Sequence, residues 1–227
     1  MKALLYKEFK LAMHPICYIF IALFPLMMLI PSYPLGIGFI YILSCYPILF
    51  LGANKGQQSN DLLYSTLLPI RKKDIVKARI FTVVIMQVVY MLLMAALLPL
   101  AMYIEKSMVT ESGKAVGHAG IGLNGFTSIL AFAVIGFAVA DLIFFPIYYK
   151  NGKSIVMSTL FTILGFIVYL GIFTVGLPLA FKGYNNFFTN SAIGIQFALL
   201  GGAILISIGL HYLVYIISSK RLEKVDF

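Results

Sequence analysis

The chain has 227 residues, of which 61% are hydrophobic and only 11% charged, with a net charge of +9 and a mean hydropathy of +0.99. Soluble globular domains are about a quarter charged, so this composition excludes a soluble fold and defines an integral membrane protein. The basic residues stand beside apolar spans and form no soluble patch, which assigns them to membrane orientation and argues against a nucleic-acid partner.

Residues 1–14 read as an amphipathic helix lying in the membrane interface. Lys2, Tyr6, Lys7, Lys10 and His14 share one arc, and Met1, Leu4, Leu5, Phe9, Leu11 and Ala12 share the other. A signal peptide is the competing reading, set aside because the run 15–31 lacks a small-x-small cleavage site and further spans follow. Glu8 falls in the middle of the apolar arc. An unpaired carboxylate there is costly against lipid, so Glu8 is expected to face protein or a cation.

Six apolar runs long enough to span follow, at about 15–31, 35–53, 80–103, 126–149, 155–181 and 191–219. With the N-terminus inside, the interior segments hold Lys2, Lys7 and Lys10, then Lys55, Arg71, Lys72, Lys73, Lys77 and Arg79, then Lys150 and Lys153, then Lys220, Arg221 and Lys224. Only Lys106, Lys114 and Lys182 remain outside, which places both termini in the cytoplasm.

Residues 54–79 form the one long polar segment between two spans, and Pro69 divides it. Residues 60–68 read as a short amphipathic helix with Asp61 near its positive end and Leu63 and Leu67 on one face. Residues 71–79 form a basic piece running without a break into the apolar run at Ile80. The outer segment 105–125 is glycine-rich, and 177–190, with Phe181, Tyr184, Phe187 and Phe188, reads as an aromatic belt or a re-entrant piece. In the last span Gly194, Ala198 and Gly202 recur at four-residue spacing beside Gly201 and Gly209. Such a stripe lets another helix approach closely, within the chain or in a dimer.

No catalytic signature is present: HExxH, GxSxG and paired intramembrane carboxylates are all missing. Gly152-Lys153-Ser154 approaches a phosphate-binding loop, but Ile147 occupies the place of its first glycine. ATP is therefore not expected on this chain, and neither is an enzyme activity. Cys17 and Cys45 have no metal-ligand spacing, so no metal is expected either.

Three polar residues fall inside the spans at one depth. Asp141 is nine residues before Lys150, His211 nine before Lys220 and Gln87 eight after Arg79, so all three lie roughly 12–14 Å from the basic edge. A carboxylate there needs a cation or donors. Asp141 is expected to pair with His211, with Gln87 as a third member. The alternative is an Asp141 bonded to nearby hydroxyls or facing water, with His211 as an uncharged packing residue.

Three segments carry a resemblance: Leu4-Leu5-Tyr6-Lys7-Glu8-Phe9, the loop run from Leu67-Leu68-Pro69 through Arg71-Lys72-Lys73-Asp74 to Ala78-Arg79, and Phe145-Pro146-Ile147-Tyr148-Tyr149-Lys150-Asn151-Gly152. In order and spacing they resemble the short ABC-2 permeases over nearly the whole chain. The resemblance implies an all-α transmembrane subunit of an ABC exporter in a bacterial plasma membrane. It implies ATP and Mg on a separate ATP-binding subunit and a second permease subunit, identical or paralogous. It also implies export of amphipathic peptides, lipids or antibiotics, and one branch it looks like exports phenol-soluble modulins. In that reading residues 60–68 are the coupling helix, and Asp61, Leu63, Tyr64, Leu67 and Arg71 contact the ATPase, with Lys7 and Glu8 as a second contact. Gln57 and Gln58 stand where acidic residues are expected ahead of that helix, and Ile70-Arg71 where a small polar cap is expected. The competing function is a stand-alone membrane immunity or scaffold protein that has no ATPase partner.

Overall fold

A computed structural model describes residues 2–12, 15–26, 29, 70–107, 123–151, 155–172 and 193–224. The elements among them are all helical: α1 (Lys2–Lys7), a π-helical turn (Glu8–Ala12), α2 (Pro15–Leu26), α3 (Lys72–Ser107), α4 (Leu123–Asn151), α5 (Ile155–Gly171) and α6 (Ile193–Glu223). The expected span at 35–53 and the expected coupling helix at 60–68 lie outside the described residues.

Helices α3, α4 and α6 each contain a stretch long and apolar enough to cross a membrane, and α2 and α5 carry shorter apolar stretches. The basic piece and the third span are one continuous helix of 36 residues. At 1.5 Å per residue its length is about 54 Å, well beyond a hydrocarbon core of about 30 Å. Its first turns therefore project from the apolar layer with Lys72, Lys73 and Lys77. Asp74 in the first turn suits the positive helix end, and its amide closes a 2.9 Å bond to the Arg71 carbonyl.

Burial along α3 follows a coiled-coil rhythm. Val76, Ile80, Val83, Gln87, Tyr90, Met94 and Ala101 are buried, a four-three alternation that keeps one seam against neighbouring helices. Phe81, Ile85, Val88, Leu92 and Leu100, on the other faces, are exposed within the chain. In a membrane these faces suit lipid.

Contact pairs give the direction of each helix. Arg79 meets Tyr148, Gln87 meets Asp141, and Tyr90 meets Phe137 edge-on; one number rises as the other falls, so α3 and α4 are antiparallel. Between α4 and α5 the Tyr169 hydroxyl donates to the Phe132 carbonyl, while Ile143 faces Gly165, again antiparallel. Between α4 and α6, Thr127 meets Gln196, Asp141 meets His211, and Arg221 meets the Pro146 carbonyl. Both numbers rise together, so these two run parallel. The starts of α3 and α5 and the ends of α4 and α6 consequently share one end of the bundle, where Lys73 and Glu223 lie 3.3 Å apart. The basic residues grouped from sequence as one side of the membrane, from Arg71 to Arg79 with Lys150, Lys220 and Arg221, collect there.

Helix α4 is the most buried of the three long helices and α6 the least. The small-residue stripe of α6 does not pack within the described residues. Gly194, Ala198, Gly201 and Gly209 are exposed, and a Cβ added at Gly194, Gly201, Gly202 or Gly209 would meet nothing within 4 Å. The buried seam is Gln196, Ala203, Ser207, Val214 and Ser218. Polar side chains with partners on α4 set the rotation of α6, because leaving them toward lipid costs more than leaving glycines there.

Candidate functional site

The first polar constellation joins the π-helical turn, α3 and α4. Glu8 opens the π-helical turn, whose wider i→i+5 bonding re-phases the residues that follow α1. The Phe9 carbonyl in that turn accepts a 2.6 Å bond from the Tyr18 hydroxyl of α2. Glu8 itself points inward. Its Oε2 accepts from Arg79 Nε at 3.0 Å and its Oε1 from Nη2 at 3.4 Å, a fork-on-fork geometry. Arg79 Nη1 also donates to the Tyr148 hydroxyl at 3.2 Å. Both ionic side chains are almost fully enclosed, 5% exposed for Arg79 and 4% for Glu8. Tyr149, wholly buried, packs its ring against Tyr148 with centroids 5.0 Å apart.

This arrangement meets the expectation that Glu8 faces a cation, here the Arg79 guanidinium. Sequence reasoning grouped Arg79 with the surface cations and missed Tyr148. The available signal was position: Arg79 ends the basic run where the apolar run begins, so one face of its helix is already inside the bundle. Lys7 is half-buried and Arg71 exposed, while Asp61, Leu63, Tyr64 and Leu67 lie outside the described residues.

The second constellation lies deeper. Gln87 Nε2 of α3 donates to Asp141 Oδ2 at 3.0 Å, and His211 Nε2 of α6 lies 2.9 Å from the same oxygen. The other imidazole nitrogen, Nδ1, is 2.7 Å from the Ser207 carbonyl oxygen and 3.2 Å from its hydroxyl. Asp141 has no exposed surface. The equal depths counted from the sequence thus become one contact: the structure brings Gln87, Asp141 and His211 together on three helices. Nearer the opposite end, the Thr127 hydroxyl bonds Gln196 at 2.5 Å.

Among the described residues no group of three or more His, Cys, Asp or Glu could hold a metal ion. What both constellations can do is fix helices against one another. Each is built of paired polar groups inside an apolar bundle, where separating partners costs more than it does in water.

The fold and these sites define a polytopic, all-helical membrane protein whose helices are fastened by buried polar pairs. The chain belongs to the ABC-2 transporters: the family model described as ABC-2 family transporter protein matches residues 3–223. Comparisons with curated proteins and with solved structures found no match. Membership makes the chain a permease-type membrane component and implies association with an ATP-binding subunit.

Proposed function

We propose that this chain is the permease subunit of an ABC exporter, driven by ATP and Mg bound on a separate subunit and paired with a second permease copy or paralogue. In this reading it catalyses no reaction itself. It sits in a bacterial plasma membrane with both termini inside and moves amphipathic molecules outward, with peptides of the phenol-soluble-modulin kind as the leading class and lipids or antibiotics as the others.

The observation that carries the proposal is the fork between Arg79 and Glu8. Segment 54–79 is where an ATP-binding subunit would push, and α3 leaves that segment as a rigid helix. Eight residues into α3, Arg79 is clamped to the N-terminal turn and to the end of α4. A displacement of the segment would therefore reach three elements together. Leu63, Tyr64 and Leu67 are proposed to anchor the segment in an apolar groove of the partner.

The test is copurification with an ATP-binding subunit from the same cells, for the native chain and for L63D/L67D. Loss of the partner, with the permease still extracted as a folded protein, supports the coupling role. A chain that never captures an ATP-binding subunit is the stand-alone immunity or scaffold protein instead.

A further inference from the structure

The hydrogen bonds around His211 fix the number of protons its pair with Asp141 holds. A backbone carbonyl oxygen can only accept, so Nδ1, 2.7 Å from the Ser207 oxygen, is the donor and carries a hydrogen. An Nδ1 without one would set two lone pairs against each other at that distance. The Ser207 hydroxyl, at 3.2 Å, is the longer and weaker contact.

The other nitrogen, Nε2, then faces Asp141 Oδ2 at 2.9 Å, a spacing that requires one proton between them. That proton rests on the nitrogen, giving imidazolium and carboxylate, or on the oxygen, giving neutral imidazole and carboxylic acid. In both cases the unit is neutral. It holds one proton more than a carboxylate beside a neutral imidazole.

We infer that Asp141, His211 and Gln87 form a proton-binding site inside the membrane, loaded when α4 and α6 are in contact. Three observations support the assignment beyond the bond count. Asp141 is completely enclosed, and Ala138, Ala140, Phe144 and Phe145, close to it along α4, are buried and apolar. A net negative charge in such surroundings is costly, and binding a proton removes it. Gln87 donates to the same oxygen and adds no charge. The His211 side chain, 15% exposed, is the less enclosed partner of the pair.

Among the described residues, the other ionisable groups nearest along these helices are phenols and one arginine. Tyr90 lies one turn beyond Gln87, Tyr148 and Tyr149 two turns beyond Asp141, Tyr212 is exposed beside His211, and Tyr215 lies one turn further on. Phenols are neutral at physiological pH. Arg79, on α3, is engaged with Glu8. The site thus makes H⁺ a ligand of this membrane subunit, held while α4 and α6 are in contact. It stands whether or not the chain is a transporter.

The test uses the full chain in lipid nanodiscs at pH 7.5, labelled with ¹⁵N-histidine and carrying H14Q and H118Q so that His211 is the single histidine. Nitrogen NMR reads which ring atoms bear hydrogen, and infrared spectroscopy reads a protonated carboxyl stretch. The expected result is hydrogen on Nδ1 together with either hydrogen on Nε2 or an Asp141 carboxylic-acid band. Asp141→Glu shifts that band and Asp141→Asn removes it, so its assignment does not rest on one variant folding. Hydrogen on Nε2 alone, or on Nδ1 alone with no acid band, overturns the proposal.

Discussion

Glu8 and Arg79, seventy-one positions apart, form a buried two-point ion pair that ties the N-terminal turn to the first turns of α3. Enclosed charges are unforgiving: removing one partner leaves the other desolvated without compensation. Glu8→Leu and Arg79→Met are each expected to lower stability by about 3–5 kcal/mol. Replacing both with apolar residues of similar size should cost clearly less than either alone. Thermal unfolding in a fixed detergent, followed for the four proteins of the cycle, checks this. Equal small losses in both single variants would mean the fork contributes nothing.

Two glycines at the interface of α4 and α5 are expected to respond oppositely to alanine. A Cβ on Gly136 would stand 3.1 Å from a ring carbon of Tyr169 and 3.3 Å from one of Phe166. Neither ring can yield easily, since Tyr169 is bonded to the Phe132 carbonyl at 2.8 Å and stacked on the Phe132 ring at 4.7 Å. Gly136→Ala should therefore destabilise by about 1–3 kcal/mol despite the gain in helix propensity. At Gly165 the obstacle is the terminal methyl of Ile143, a flexible end that can swing aside. Gly165→Ala is expected to be near neutral, and a larger loss there than at Gly136 would contradict this packing.

Depth in the membrane was legible from the residues, whereas rotation about a helix axis was not. Helix rise is constant, so counting from basic edges put Gln87, Asp141 and His211 at one level, and the structure joins them. The face that α6 buries among the described residues was not legible, because its glycines and its polar residues make two competing stripes, and partners on α4 choose between them. Glu8 could be recognised as needing a cation. Its partner could not be named, because the π-helical turn re-phases the chain at that residue and Arg79 ends a run of otherwise similar cations. The apolar helices among the described residues were plain, since runs this apolar must satisfy their backbone internally.

The alternation of helix directions makes a labelling prediction. Arg71, Lys150 and Lys220 are all exposed and lie toward one end of the bundle. Single cysteines at these three positions, in a background lacking Cys17 and Cys45, should react with a membrane-impermeant reagent from the same side. A cysteine at Ser112 should react from the other. Opposite labelling of Lys150 and Lys220 would contradict the parallel pairing of α4 with α6.

The deepest constellation predicts non-additivity. Asp141 is shared by Gln87 and His211, at 3.0 and 2.9 Å, so each partner's contribution depends on the other being present. Asp141→Asn keeps the volume but removes the charge, and His211→Gln keeps a donor on a differently shaped side chain. Each single change leaves a buried polar group mismatched, whereas the double variant places two amides opposite each other. Hydrogen bonds between helices in a membrane contribute about 0.6 kcal/mol on average and up to about 1.7. The ionic or acidic character of this pair sets it toward the upper part of that range, so a coupling of about 1–2 kcal/mol is expected. Unfolding of the wild type, the two single variants and the double in one lipid system measures it. Strict additivity would mean that Asp141 and His211 do not hold each other. Gln87→Leu is a separate probe: it removes one donor from an oxygen still facing the histidine, and its loss should be the smallest of the three single changes.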